Sequence, residues 1–429
     1  MNRAKVAGVV LLLLGMSAGG TSAEETQKVK GVIDGVLDEI IEIRHVIHHN
    51  PELGNREFET ASVVAAELHA AGLDVQEGIA YTGVVGILKG SRSGPVVAVR
   101  ADMDALPVIE DTDFPFRSTK TTQYLGKEIG LAHACGHDVH IAVALGVAKV
   151  LAAMRDGLAG TVVFLFQPAE EGPPPGEKGG AELMLEEGVF SELRPQAIFG
   201  LHSWPGLDVG EVGYIEGAGM AAVDHFVIKV RGEQSHGAAP HLGRDPIVMA
   251  AQAVEALQTI RSRNLSPLEP SVVTIGIFRG GERFNIIPAE VHLEGTVRTF
   301  STDTREIVKR RIEEILDGVT SAGGGSYEIV EYQSNAPATI NNVDLARRVR
   351  PALETALGVE QVVDVEPTMA GEDFAYFANV VPGFYFRLGI EDPEQGSGAL
   401  HTPTFRADDG AIEVGIRAMV SVVLSELGR

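Results

Sequence analysis

Apolar residues recur at helical spacing among charges between residues 34 and 50, where Ile40, Ile41, Ile43, Val46 and Ile47 fall close together. Asn50-Pro51 closes that segment, because the residue before a proline is pushed out of the helical region. Residues 57–71 carry a second amphipathic helix pattern. Residues 84–88 and 96–100 are short β-rich runs split by 90–95, which predicts a hairpin-like pair. A helix is predicted from about 139 to 154, an apolar strand over 161–167, a helix over 181–187 and a buried strand over 197–202. Strands alternating with helices predict an α/β layer architecture.

The pattern changes near residue 222. Residues 224–231 alternate as a strand, 246–262 form an Ala-rich helix, and 271–278 and 290–299 are two further strands. A helix over 303–319 places Ile307, Val308, Ile312, Ile315 and Leu316 on one face, and 327–333 is a last strand. The order βαββαβ matches a ferredoxin-like sandwich, so residues 222–336 are predicted to be an inserted α+β domain. Beyond it the α/β pattern resumes, with a helix over 343–357, a strand over 383–388 and a helix over 408–427. The α/β part thus comprises 24–221 and 337–429, with a central mixed sheet. A length of 429 residues agrees with more than one core.

Residues 1–23 read differently. Arg3 and Lys5 precede an apolar run from Val6 to Met16, and Thr21-Ser22-Ala23 offers small side chains for cleavage. The run is shorter than the roughly 20 residues of a membrane-spanning helix. A cleaved signal peptide is expected rather than an anchor, and with it an exported protein, periplasmic or secreted. The formal net charge is −24, and losing the leader removes two cations and no acid. That excludes nucleic acid and anionic membrane surfaces as expected partners.

There is one cysteine, Cys135. It cannot form an internal disulfide, so it is either a buried small hydrophobe or a reactive or liganding thiol. Four segments carry metal-ligand side chains: His133-Ala134-Cys135-Gly136-His137-Asp138, Gln167-Pro168-Ala169-Glu170-Glu171-Gly172, Gly200-Leu201-His202 and Leu400-His401-Thr402-Pro403. Each is expected at a strand end or helix start, where open α/β sheets place their sites. Gly136 allows Cys135 and His137 to reach one point. Two adjacent carboxylates, Glu170 and Glu171, need a compensating cation if buried. On a strand-like backbone they face opposite sides, so one can bind metal while the other takes a proton. Taken singly, the glutamates also fit a solvated Gly/Pro-rich loop, His202 a core residue and His401 an exposed turn.

Together these segments resemble the di-metal amidohydrolases related to aminoacylase and carboxypeptidase G, in particular the hippurate and auxin-conjugate hydrolases. The resemblance extends through His49-Asn50-Pro51-Glu52-Leu53-Gly54, Asp102-Met103-Asp104, Ser235-His236-Gly237, Asn285-Ile286-Ile287-Pro288, Gly295-Thr296-Val297-Arg298 and Gly371-Glu372-Asp373-Phe374. It implies two divalent ions per subunit, zinc or manganese, with cobalt or nickel also suited. It implies Cys135, His137, Glu171, His202 and His401 as ligands, with Cys135 bridging or joining the metals, and Glu170 as general base. Many relatives have a His-x-Asp ligand motif. Here the His position is Asp102, and Asp104 is expected to orient the site from behind. The inserted domain is implied to be a lid that closes over the site and forms a homodimer. His236 is implied to reach the scissile carbonyl, in some members from the partner subunit, and Asn285 and Arg298 to hold the substrate's carboxylate. The expected reaction is hydrolysis of N-acyl or N-aroyl amino acids. A carboxypeptidase or dipeptidase of the same fold is the rival, and an inactive periplasmic binding protein a remote one.

Overall fold

An eight-stranded mixed sheet is the frame on which the site is built. In spatial order its strands are Asp74–Ile79, Gly83–Lys89, Ala159–Gln167, Arg92–Asp102, Ala197–Asp208, Gly383–Glu391, Val212–Tyr214 and Val362–Asp364. The computed structural model describes residues 23–428. The expected signal segment over 1–23 therefore lies, but for its last residue, outside the described part. Among the described residues no helix is long and apolar enough to cross a membrane.

The middle strands read as near-continuous apolar runs because both faces are covered. Val97–Val99 and Val162–Phe166 are buried throughout. One face is packed by the helices Ala23–His49, His137–Ala153 and Gly410–Leu427, which share one large core. The other is covered by Gly180–Glu186 and Phe374–Val380.

The expected hairpin between residues 84–88 and 96–100 is not formed. Ala159–Gln167 lies between the two strands, antiparallel to the first and parallel to the second. The connecting segment hydrogen-bonds to residues 158–160 instead of folding on itself: Gly90 N–H reaches Gly160 O at 2.9 Å. Gly83–Lys89 instead pairs back onto Asp74–Ile79 across Ala80 and Tyr81, both at positive φ. Apolar runs show that strands exist but not which strands are neighbours.

Between residues 222 and 336 a four-stranded antiparallel sheet is ordered Ser271–Gly280, Glu290–Thr299, Ala222–Arg231, Ser326–Ala336. The helices Pro246–Leu257 and Thr302–Ala322 cover one face, over a separate core that includes Phe226, Ile228, Leu293 and Leu316. Asp245 and Ser301 cap the two helices. The first helix stops short of the expected 262 and passes into a wide turn at Ile260–Asn264. The two segments joining this unit to the large sheet, Gly217–Met220 and Thr339–Asn341, pair with each other as a ribbon.

Buried ion pairs lock the helix His137–Ala153 from behind. Arg44, itself buried, donates to Asp138 at 2.8 Å, to Asp409 at 2.6 Å and to Ala407 O at 2.9 Å. His48 stands 3.0 Å from Asp138 and 3.1 Å from Glu110. Burial favours the neutral His48 ring, but Asp138 and Glu110 outweigh it and raise its pKa from 6.5 to about 9. A raised cationic pKa stabilises the fold fully below the unfolded value and is lost as pH rises through the folded one. The melting temperature of the protein should therefore decline between pH 6.5 and 9. His48→Gln should remove that part of the slope, and equal slopes in the two proteins would refute the assignment.

Candidate metal centre

Three loops and one strand converge at the carboxyl end of the central strands. Gly136, at φ 84°, turns the chain into the helix His137–Ala153 and lets Cys135 and His137 face one point. A side chain at this position would collide with Ser203, its Cβ 2.1 Å from Oγ. His202 lies within its strand and not at its end, since Ala197–Asp208 continues six residues past it. His401 occupies a turn at φ 60°, its N–H held by Ala134 O at 2.8 Å.

The tautomers follow from the partners. A carbonyl oxygen can only accept, so His137 Nδ1–H donates to Asp104 O at 2.8 Å, and His202 Nδ1–H to Ser203 O at 2.7 Å. Both Nε2 lone pairs are thereby turned inward, as for metal-ligating imidazoles. His202 Nε2 is 3.5 Å from Cys135 Sγ, and His401 Nε2 is 3.3 Å from the same sulfur. Glu171 Oε1 is 3.0 Å from His401 Nε2 and 4.0 Å from His137 Nε2. Two triads, Cys135/His137/His202 and Cys135/Glu171/His401, share the thiol, with the ligand atoms of each within 4.8 Å of one another. Among the described residues, His137 Nε2 and Glu171 Oε1 are buried with no hydrogen-bond partner of proper geometry. Sulfur, imidazole nitrogen and carboxylate oxygen brought this close form a donor set that a divalent cation would satisfy once their protons leave, and the thiolate, imidazole and carboxylate types suit it.

The glutamate pair stands in a turn, not on a strand-like backbone. The strand ends at Gln167, Ala169 adopts φ 52°, and Glu170 and Glu171 follow in the turn. Asp104 sets this turn: its two carboxylate oxygens accept the N–H groups of Glu170 and Glu171, each at 3.0 Å. With its carbonyl on His137, one residue orients three site side chains. Glu170 Oε2 is 3.9 Å from His137 Nε2, and Oε1 faces Asp373 N–H at 3.4 Å. Asp102 binds Arg100 at 2.7 Å and His140 at 2.6 Å, and its Oδ2 stands 3.7 Å from His137 Nε2. His140, which nothing in the sequence pattern singled out, accepts Ser203 N–H through Nε2 and so holds the residue beside His202.

From the protein's own groups alone, Cys135, His137 and Glu170 hold protons tightly, whereas His202 and Glu171 do not. Burial, then Glu171 and Glu170, push the Cys135 thiol well up. Burial, then Glu372, Glu171 and Asp373, raise Glu170 well above the carboxylate range. Burial opposes charge on His137, yet Asp102 and Asp104 raise it to about 10. Burial and then His140 lower His202 to about 3. Burial also opposes ionisation of Glu171, but His401 and His137 outweigh it and lower its pKa. Cation binding here must displace protons.

A cleft of about 1050 Å³ opens over the centre. Cys135, Glu170, Glu171, His202 and His401 line it, with Arg298 on the wall formed by the smaller sheet. Arg298 has no ion-pair partner among the described residues, and burial lowers its pKa. His236 and Asn285 do not line this chain's own cleft. They lie on a short ribbon, Ser235–His236 against Ile286–Ile287, where Gly237 N–H meets Asn285 O at 2.8 Å. Arg100 beneath Glu170 binds Asp102, Asp373 and Glu372 at 2.7 to 2.9 Å, a network that local pattern could not reveal.

The chain is similar to known proteins along most of its length. It is 39% identical over 374 residues to an N-acetyl-L-cysteine deacetylase of Bacillus subtilis, covering 87% of this chain and 85% of that protein. It is 35% identical over 395 residues to an IAA-amino acid hydrolase of Arabidopsis thaliana, covering 91% and 86%. Among solved structures it superimposes on the Bacillus subtilis YxeP protein, a dinuclear metal binding peptidase. The TM-score is 0.77 at 33% identity, with 92% of this chain and 99% of that one covered. Residues 98–425 match the model of peptidase family M20/M25/M40, and the chain is a member of that family.

Proposed function

We propose that the protein hydrolyses the amide bond of N-acyl or N-aroyl amino acids, releasing a carboxylic acid and an amino acid. The observation that carries this reading is the convergence of Cys135, His137, Glu171, His202 and His401, with Nε2 of His137 and His202 turned inward, beside a second, half-buried carboxylate, Glu170. This set holds two divalent ions, of which zinc, manganese, cobalt and nickel all suit the donors. When bound, the ions lower the pKa of water and draw charge from a carbonyl oxygen. Glu170, raised in proton affinity by burial and then by its carboxylate neighbours, takes the proton from water and passes it to the leaving nitrogen. Asp104 keeps Glu170 and Glu171 in place. Arg298, an unpaired guanidinium on the cleft wall, receives the substrate's carboxylate. The names of two relatives, which specify an N-acetyl amino acid and an IAA-amino acid, support the substrate class. Incubation of the metal-loaded protein with hippurate, N-acetyl amino acids and dipeptides tests it. Turnover of the first two supports the proposal, and turnover of dipeptides alone would replace it with a dipeptidase.

The same reading makes the smaller sheet a lid and dimerisation unit. The ribbon bearing His236 and Asn285 exposes Phe284 and Ile286, and the same unit exposes Phe278, Ile247 and Val248. A second copy docked there would cover this apolar surface and carry His236 to the neighbouring cleft, where it stabilises the oxyanion. Light scattering should give the mass of a dimer. A fully active monomer would exclude any role of His236 across subunits. Export belongs to the proposal too and rests on the composition of residues 1–23.

A further inference from the structure

The chain has a single tryptophan, Trp204, two residues beyond His202 on the same strand. Residues so spaced leave the same face of a strand. The indole stands edge-to-face with the His202 imidazole, ring centroids 5.6 Å apart, and lines the cleft. Arg387, on the neighbouring strand Gly383–Glu391, lies opposite His202 in parallel register. Its guanidinium carbon sits 4.1 Å from the centre of the Trp204 ring. Its Nη2 is buried with no hydrogen-bond partner, and burial lowers its pKa.

In a chain of net charge −24, a half-buried guanidinium with no ion-pair partner among the described residues is unexpected. The indole face is the group that compensates its charge, and that attraction strengthens when the pair is desolvated. The ring is thus fixed between Arg387 and His202, and its remaining surface faces the cleft beside the metal ligands. A ring held this way loses little freedom when a flat group stacks on it.

We propose that Trp204, braced by Arg387, is the platform on which the substrate's acyl group packs, and that it favours planar aroyl groups over acetyl and over non-planar groups of similar size. The inference rests on the N-acyl amino acid reading given above. With the carboxylate held by Arg298 on the lid sheet, the acyl end of the substrate is left against the large sheet that carries Trp204.

The test compares kcat/KM for the N-benzoyl, N-cyclohexanecarbonyl and N-acetyl forms of one amino acid. In Trp204→Leu the benzoyl-over-cyclohexanecarbonyl ratio should fall about two- to tenfold, the usual gain of an aromatic pair over its area, and the change should sit in KM. Trp204→Phe should restore most of the ratio, and Arg387→Met should give an intermediate value. An unchanged ratio, or one that shifts only when the amino-acid side chain is varied, would overturn the proposal. A second readout does not depend on substituting Trp204. Emission from this single tryptophan in Glu170→Gln enzyme should change more on saturation with N-benzoyl than with N-acetyl ligand. Bound N-benzoyl ligand with unaltered emission would overturn the proposal even if Trp204→Leu fails to fold. If wild-type enzyme cleaves none of the three compounds, the functional reading fails, while the emission titration still decides the platform.

Discussion

Replacing Glu170 with glutamine is expected to lower kcat by about 10²–10⁴-fold or more, the usual loss when a general base is removed. KM and metal content should stay near wild type. Glutamine keeps the length and polarity of the side chain but cannot accept a proton. The backbone N–H of residue 170 remains bound by Asp104, so the turn should persist. Glu170 and Glu171 stand about equally far from His137 Nε2, at 3.9 and 4.0 Å, but Glu171 also reaches His401 Nε2 at 3.0 Å. Glu171→Gln should therefore fail differently. It should weaken metal binding, and excess metal should restore part of the rate. A Glu170→Gln enzyme that loses metal and recovers when metal is added would show the two roles to be exchanged.

The second large effect is expected at Cys135. Both triads use its sulfur, so under the proposed function Cys135→Ala removes one donor from both candidate ion sites at once. Metal content and activity should fall together, with activity reduced to the background of the assay. The loop itself should survive. Gly136 sets its turn, and His401 N–H binds the carbonyl of Ala134, not the thiol. Circular dichroism should then match wild type. An active Cys135→Ala enzyme with normal metal content would remove the thiol from the ligand set.

The legibility of the fold varied with the kind of information each feature needs. The alternation at residues 224–231 and the one-sided apolar face at 303–319 are local, and they specify the strand and helix found there. Sheet neighbours are not local. Nothing within residues 84–100 shows that Ala159–Gln167 separates their two strands. The residues that converge were legible as candidates because Cys135, His137, Glu170, Glu171, His202 and His401 sit in short segments rich in metal-binding side chains. Their arrangement was not. The glutamates separate through a turn enforced by Asp104, not through strand alternation. The inward direction of His137 and His202 depends on carbonyl acceptors, a backbone property without a sequence signature. His140, Arg100 and Arg387 were given no role from the sequence for a related reason. Each is defined by a partner distant in sequence, and a lone histidine or arginine in a strand or helix is usually structural.

The central claim is that one thiol joins two ion sites. The most direct measurement is the metal content of the purified full chain by plasma mass spectrometry, for wild type, Glu170→Gln and Cys135→Ala prepared side by side. The account predicts two divalent ions per chain in wild type, two in Glu170→Gln, and clear loss from Cys135→Ala. One ion or none in a fully active wild-type enzyme, or a full complement in Cys135→Ala, would contradict it.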